Sequence, residues 1–272
     1  MKKLLFILLV LPLVAGAQIF NQKQYREDFD YFWKSLNDNY CYFDKKAINW
    51  ESLKPVYSKQ MDTVSSRNSF VSLLESVYNE LYDHHCSLRT NTDLSRRLVP
   101  TGADIWAEYK NGKPVVTEVR KGFGAEKEGI KAGMEVLAIN DIPVAQAILP
   151  FLSHTVNEES KSYALRLVLA GNHIEKRKIT LKTASGKKDY FPDKDGTMLE
   201  HVQYVSMVET KTFGSIGYIK VNNFLFDNEL IPQFDRALDS LLQTKAIIID
   251  MRETPSGGNT SVARAILGRY CS

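Results

Sequence analysis

The hydrophobic spacing of this chain changes period along its length, so the chain must build more than one kind of module. Between Tyr25 and Leu81 the spacing is helical. Phe29, Phe32, Trp33, Leu36 and Tyr40 recur at three- and four-residue steps, as do Phe70, Leu73, Leu74, Val77 and Leu81. Trp50, Leu53 and Tyr57 mark a shorter helix, and Ser66 and Asn68 stand where a third helix needs its N-cap. These aromatic stripes read as the core of a small helical domain. From about Pro100 to Leu181 the pattern becomes short strands with turn residues between them. Ile105–Tyr109 and Val115–Val119 flank Asn111-Gly112, a hairpin signal. Gly122–Gly133 reads as a glycine-punctuated turn and short helix, Val136–Ile139 as a strand closed by Asn140-Asp141. Alternation returns at Tyr163–Leu169 and Lys176–Leu181. Lys182–Gly196, polar and rich in Lys, Asp and Gly, suits an interdomain linker.

The last third changes again. Val202–Val208 and Ser215–Val221 are strand-like, and Leu225–Leu242 is an amphipathic helix with Leu230, Phe234, Ala237, Leu238 and Leu241 on one face. Ala246–Met251 is a continuous apolar strand of the kind buried on both sides of a sheet. A glycine turn and another helix follow, completing a ββαβα order. The expected fold class is therefore α+β and multidomain: a helical cap, a small β domain and an α/β segment.

Residues 1–17 are set apart as a processing signal. Lys2 and Lys3 precede an apolar run from Leu4 to Val14, and Ala15-Gly16-Ala17 offers a small-residue cleavage site. The run is shorter than the roughly 20 residues of a membrane span, and no Cys stands at the cleavage point to carry a lipid. The expectation is an exported protein, periplasmic or secreted, with no membrane anchor once the signal is cut. Losing Lys2 and Lys3 takes the formal charge from +3 to +1, which gives no electrostatic footprint for nucleic acid. Cys41, Cys86 and Cys271 have neither C-x-x-C spacing nor a disulfide framework.

Three segments carry chemistry. The first is Asp83-His84-His85-Cys86-Ser87-Leu88, where a helix gives way to an expected strand. Asp, His and Cys are all metal ligands, but neighbouring strand residues point to opposite faces, so four in a row cannot converge on one ion. No second His/Cys cluster completes a site, and no metal or organic cofactor is expected. A histidine at such a junction is ordinarily a hydrogen-bonded structural residue. On a loop feeding a cleft it is also the usual base for activating a hydroxyl nucleophile. The second segment runs from Val115 through Gly122-Phe123-Gly124-Ala125, Gly129-Ile130 and Gly133 to Val136-Leu137-Ala138-Ile139-Asn140-Asp141. The third is Ile247-Ile248-Ile249-Asp250-Met251-Arg252 followed by Pro255-Ser256-Gly257-Gly258-Asn259. A glycine turn between strand and helix presents backbone N–H groups to an anion, and an oxyanion is one such anion. No Gly-Lys-Ser/Thr follows, which argues against a P-loop.

The second segment resembles a PDZ domain, with Met134-Glu135 and Asp141 departing from that pattern. The third, together with Gly217-Tyr218-Ile219, resembles the Asp-Leu-Arg and Gly-Gly turn of tail-specific (C-terminal-processing) serine proteases and the related tricorn core. Here Glu253-Thr254 stand where Gly-Asn or Asn-Asn is common. The segments also occur in that family's order. The resemblance implies domains at 18–98 (helical cap, with a strand bearing Asp83–His85), 99–185 (PDZ-like) and 197–272 (the start of a protease core). It implies His85, ending Glu80-Leu81-Tyr82-Asp83-His84-His85, as general base, and the amides of Gly257 and Gly258 as oxyanion donors. Gly102, Ala103 and Ile105 are implied as peptide-binding positions, where a PDZ domain adds a peptide as an edge strand. The same fold also serves as a rigid lid or spacer.

In that family the nucleophilic serine follows a further strand, so it is expected outside these 272 residues. The sequence is accordingly read as the front part of a serine endopeptidase acting on peptide or protein substrates. A non-catalytic peptide-binding protein of the same family is the alternative.

Overall fold

The computed structural model describes residues 21–89, 92–194, 204–222, 224–254 and 258–270. The processing signal, Gly257 and Cys271 lie outside the described residues. The chain divides into two compact units between Val77 and Tyr78.

The first unit is helical. Helix α1 spans Gln22–Asn39, α2 Trp50–Gln60, and α3 starts at Arg67 and ends at Asn79. Side chains cap each start: Asn21 accepts from the Lys23 and Gln24 amides, Asn49 from Ser52, and Ser66 from Ser69. The expected stripes meet as a core, where Trp33 stacks on Trp50 with ring centroids 4.0 Å apart and Phe29, Leu53 and Tyr57 are buried around them.

The second unit holds two sheets. The first consists of β1 (Ile105–Lys110), β2 (Lys113–Val119), β3 (Glu135–Ile139), β4 (Ile142–Pro143), β5 (Ile179–Thr183) and β6 (Gly186–Tyr190). Their order is β1-β2-β3-β5-β6, with β4 paired to β3, and every pairing is antiparallel. Two turns have the expected chemistry. Asn111-Gly112 (φ 52° and 74°) closes β1 on β2, and Asn140-Asp141 (φ 48° and 64°) closes β3 on β4. Short helices α4 (Gly124–Lys127) and α5 (Val144–Ala147) sit in the connections.

Two expectations fail here. Tyr163–Leu169, read as alternating, is the second half of helix α6, Glu158–Ala170. The capping box of Asn157 with Ser160 starts that helix, and Gly171 at φ 75° ends it. Ala164, Leu165, Val168 and Leu169 fill the core with Ile105, Val116, Ile179 and Leu181. A short apolar run fits both periods, and the caps decide between them. Likewise the supposed linker supplies β6, because Gly186 (φ 113°) turns the chain back and Tyr190 buries its ring.

The second sheet contains β7 (Val208–Phe213), β8 (Ile216–Val221) and β9 (Ala246–Asp250) in that order, β7–β8 antiparallel and β8–β9 parallel. Helices α7 (Leu230–Asp239) and α8 (Thr260–Gly268) cover one face, burying Ile219, Val221, Phe234, Val262 and Ile266. The ββαβα order is as expected, but the first strand runs Val208–Phe213, where it pairs with β8, rather than Val202–Val208. However, β9 is an edge strand among the described residues, and Ile248 is half exposed rather than buried on both sides.

Candidate functional site

The histidine pair sits on a turn, not on a strand. Past Asn79 the helix loosens through bonds from the Leu81 amide to the Tyr78 carbonyl and from Tyr82 to Asn79, and Tyr82 takes φ 32°. Asp83 then organises the turn. Its carbonyl accepts from the Cys86 amide at 3.0 Å and its carboxylate accepts from the His85 amide at 2.9 Å. Turn-forming Asp chemistry prevails over strand propensity at this point. His85 is exposed, whereas His84 is half-buried against α6. Just before the turn, the buried Glu80 carboxylate accepts from both the backbone N–H (2.8 Å) and the ring Nδ1 (2.7 Å) of His154. Among the described residues no cluster of three or more His, Cys, Asp or Glu is placed to hold a metal ion.

The turn after β9 is built around two carboxylates. Asp250 accepts from the Arg252 backbone (3.0 Å) and guanidinium (2.9 and 2.6 Å) and from the Tyr218 hydroxyl (2.5 Å). The Arg252 bonds hold the Asp250 carboxyl far below the usual carboxylate range, and the same carboxylate pushes the Tyr218 phenol up. Glu253 accepts from Arg120 Nη2 at 2.7 Å and from the Tyr204 hydroxyl at 2.8 Å. Burial pushes Glu253 up, but those bonds outweigh it and leave the group below its ordinary value. Burial and the Glu253 carboxylate raise the Tyr204 phenol to about 12.

Gly258 is required by packing. A Cβ there would lie 2.5 Å from Leu225 Cβ and 2.9 Å from its carbonyl oxygen. The next residue, Asn259, donates its amide to that carbonyl and caps α8 at the Ser261 amide.

Between the 100–106 segment and the post-β9 turn lies a cavity of about 860 Å³. Ala103 and Ile105 line it on one side and Asp250–Thr254 on the other; His85 and Gly258 do not line it. Asp104 is turned inward, its carboxylate accepting from Arg177 Nη1 (2.7 Å) and the Ala125 amide (2.9 Å). The Gly102 and Ala103 amides donate to the Leu98 and Pro100 carbonyls, and Ile105 pairs with Val119. The first two amides are thus engaged within their own loop, instead of standing open to a terminal carboxylate. Arg120 and Tyr204 had no sequence signal, and Glu253 stood out only as a departure from the family's turn, because these partners are brought together only by the fold.

Residues 21–79 match the Tricorn protease C1 domain. Over 271 residues the chain is 26% identical to the carboxy-terminal processing protease CtpA of Bacillus subtilis (strain 168), a match covering 94% of this chain and 51% of that protein. It is 24% identical over 209 residues to a probable CtpA-like serine protease of Staphylococcus aureus (strain bovine RF122 / ET3-1), covering 74% of this chain and 37% of that one. The chain therefore spans about half or less of the length of these two relatives. The solved structure of mature CPAF complexed with lactacystin superposes with a TM-score of 0.53 at 13% identity, over 90% of this chain and 59% of that one. That likeness gives the fold as one shared with CPAF. The chain is thus similar, over most of its length, to tail-specific (C-terminal-processing) proteases.

Proposed function

We propose that this chain is the base-bearing and peptide-receiving part of an exported serine endopeptidase. His85 takes the proton of a serine hydroxyl as its oxygen attacks the scissile carbonyl, then returns it to the leaving amine. The amides of Gly258 and Gly257 hold the oxyanion. The six-stranded domain, read as PDZ-like, borders the entry through which an extended peptide or protein segment arrives. The nucleophile is read as lying outside this sequence, in keeping with the fraction of its relatives that the chain spans.

The observation that carries the reading is the similarity to C-terminal processing proteases over 94% of this chain; the cavity of about 860 Å³ where Ala103 and Ile105 face the Asp250–Thr254 turn supports its peptide-receiving part. A fluorophosphonate probe should label the full-length protein, and His85→Ala should abolish the labelling; labelling that survives the substitution removes His85 from the mechanism. Since the Gly102 and Ala103 amides are engaged, peptides with free and amidated C-termini should bind with similar affinity. A tenfold preference for the free terminus would instead show that the loop opens to capture a carboxylate.

A further inference from the structure

His85 is the exposed residue of the 81–86 turn, and a loop segment that is not held down moves on the nanosecond to microsecond scale. A general base must nevertheless stay within hydrogen-bond reach of its proton, and about 1 Å of misplacement can lower a rate on the order of a hundredfold. What restrains the turn is its neighbour. His84 lies against α6, its ring stacked on buried Tyr163 at 4.4 Å and 25°. Its Nε2 accepts a hydrogen bond from Arg166 Nε at 3.0 Å. The Arg166 guanidinium in turn lies 4.2 Å over the Trp106 ring of β1, and Trp106 meets the His84 ring edge-on at 6.0 Å.

We propose that Tyr163 and Arg166 are positioning residues for the general base: by clamping His84 they fix the backbone of the turn from which His85 projects. The proposal rests on the reading of His85 as the base. Three features of the geometry support it. Arginine only donates, so His84 Nε2 must be the acceptor, which makes this ring neutral with its proton on Nδ1. Tyr163 grips the turn twice, because its hydroxyl also donates to Asn79 Oδ1 at 3.3 Å, just before the chain leaves the helix. Tyr82, between the two grips, holds φ 32°, a backbone conformation that a bulky residue keeps only where its surroundings impose it. The Glu80–His154 bonds add a third tie from the helix end to the loop preceding α6. Tyr163 and Arg166, neither of which lines the cavity, thus orient the base from the six-stranded domain.

The test uses imidazole NMR on this chain and probe labelling on the full-length protein. In the unsubstituted chain His84 should show a single neutral Nδ1–H tautomer and His85 an ordered ring. Arg166→Leu and Tyr163→Leu should abolish the single tautomer and free the His85 ring on the nanosecond scale. They should slow fluorophosphonate labelling tenfold to a hundredfold, on the order expected for a misplaced base, with the half-saturating probe concentration unchanged. Tyr163→Phe, which keeps the stack, should leave labelling within about threefold of the unsubstituted rate, on the order of a lost weak hydrogen bond. His84→Ala removes the clamped ring while leaving α6 intact, so it carries the test if the α6 variants fail to fold. Unchanged His85 order and labelling in folded Arg166→Leu or His84→Ala would overturn the clamp. Labelling that survives His85→Ala would instead sink the base assignment, and the NMR result would still decide whether His84 orders the turn.

Discussion

Arg177 shows how much one buried residue can organise. Its guanidinium meets Asp193 at 2.8 and 2.6 Å, Asp104 at 2.7 Å and the Leu169 carbonyl at 2.9 Å, while Arg97 approaches Asp193 at 3.5 Å. Burial disfavours the charge on Arg177, yet the two carboxylates more than offset this and keep its pKa above the ordinary value. Burial pushes Asp193 up, and the Arg177 bonds outweigh that and hold it down. Arg177→Met would leave two buried carboxylates without their main partner, and urea unfolding should show a loss of about 3–5 kcal/mol. A loss below about 1 kcal/mol would mean that water or Arg97 replaces the partner. The pH dependence has a definite sign. Because the folded Asp193 pKa is depressed, its contribution is complete above the unfolded value of about 3.9 and is lost as pH falls through the lower folded value. Removing Arg177 should flatten stability in that acid window and leave it unchanged in shape near neutrality.

At the scale of elements, end residues decided what hydrophobic pattern left ambiguous. Helix α6 is the case in point: its apolar run fits a strand until Asn157, Ser160 and Gly171 are read as caps. Asn157→Ala removes the acceptor of the Ser160 amide and should lower stability by about 1 kcal/mol, measurable as a shift in Tm. Since α6 supplies Tyr163 and Arg166, the same variant should loosen His84 before the sheet melts. Helix α8 depends on its entry in another way. Gly258→Ala puts a methyl group against the Leu225 backbone, and overpacking of this kind should cost about 1–3 kcal/mol. A Gly258→Ala protein as stable as its parent would show that the 258–259 segment shifts readily away from Leu225.

At the scale of the whole second unit, the Arg120–Glu253 pair joins the six-stranded sheet to the turn after β9. Each side chain is only about one-fifth exposed (21% and 23%), so salt should screen the pair less than a surface bridge. Glu253→Gln should raise hydrogen exchange in residues 100–106 and 250–254 together while β3 stays protected; independent changes in the two segments would mean the pair does not couple them. The depressed Glu253 pKa gives the same acid sign, with the join intact above the unfolded value of about 4.3 and lost as pH falls through the folded one. Much of this architecture was legible beforehand. Helical spacing, the Asn111-Gly112 and Asn140-Asp141 turns and the ββαβα order are local patterns written into consecutive residues, since period and turn chemistry act over a few positions. The Asp83–His85 and Asp250–Gly258 segments were legible as motifs for the same reason. What the pattern could not give was their surroundings: that His85 rides a turn, that Asp104 faces Arg177, that His84 lies between Tyr163 and Arg166. Those contacts join residues far apart in the chain, and no local period records which distant charge or ring will fill a neighbour's place. Local period and turn chemistry were enough to fix element types and to mark the motif-bearing segments, because they act over a few residues; which distant side chains hold each segment in place came from tertiary packing.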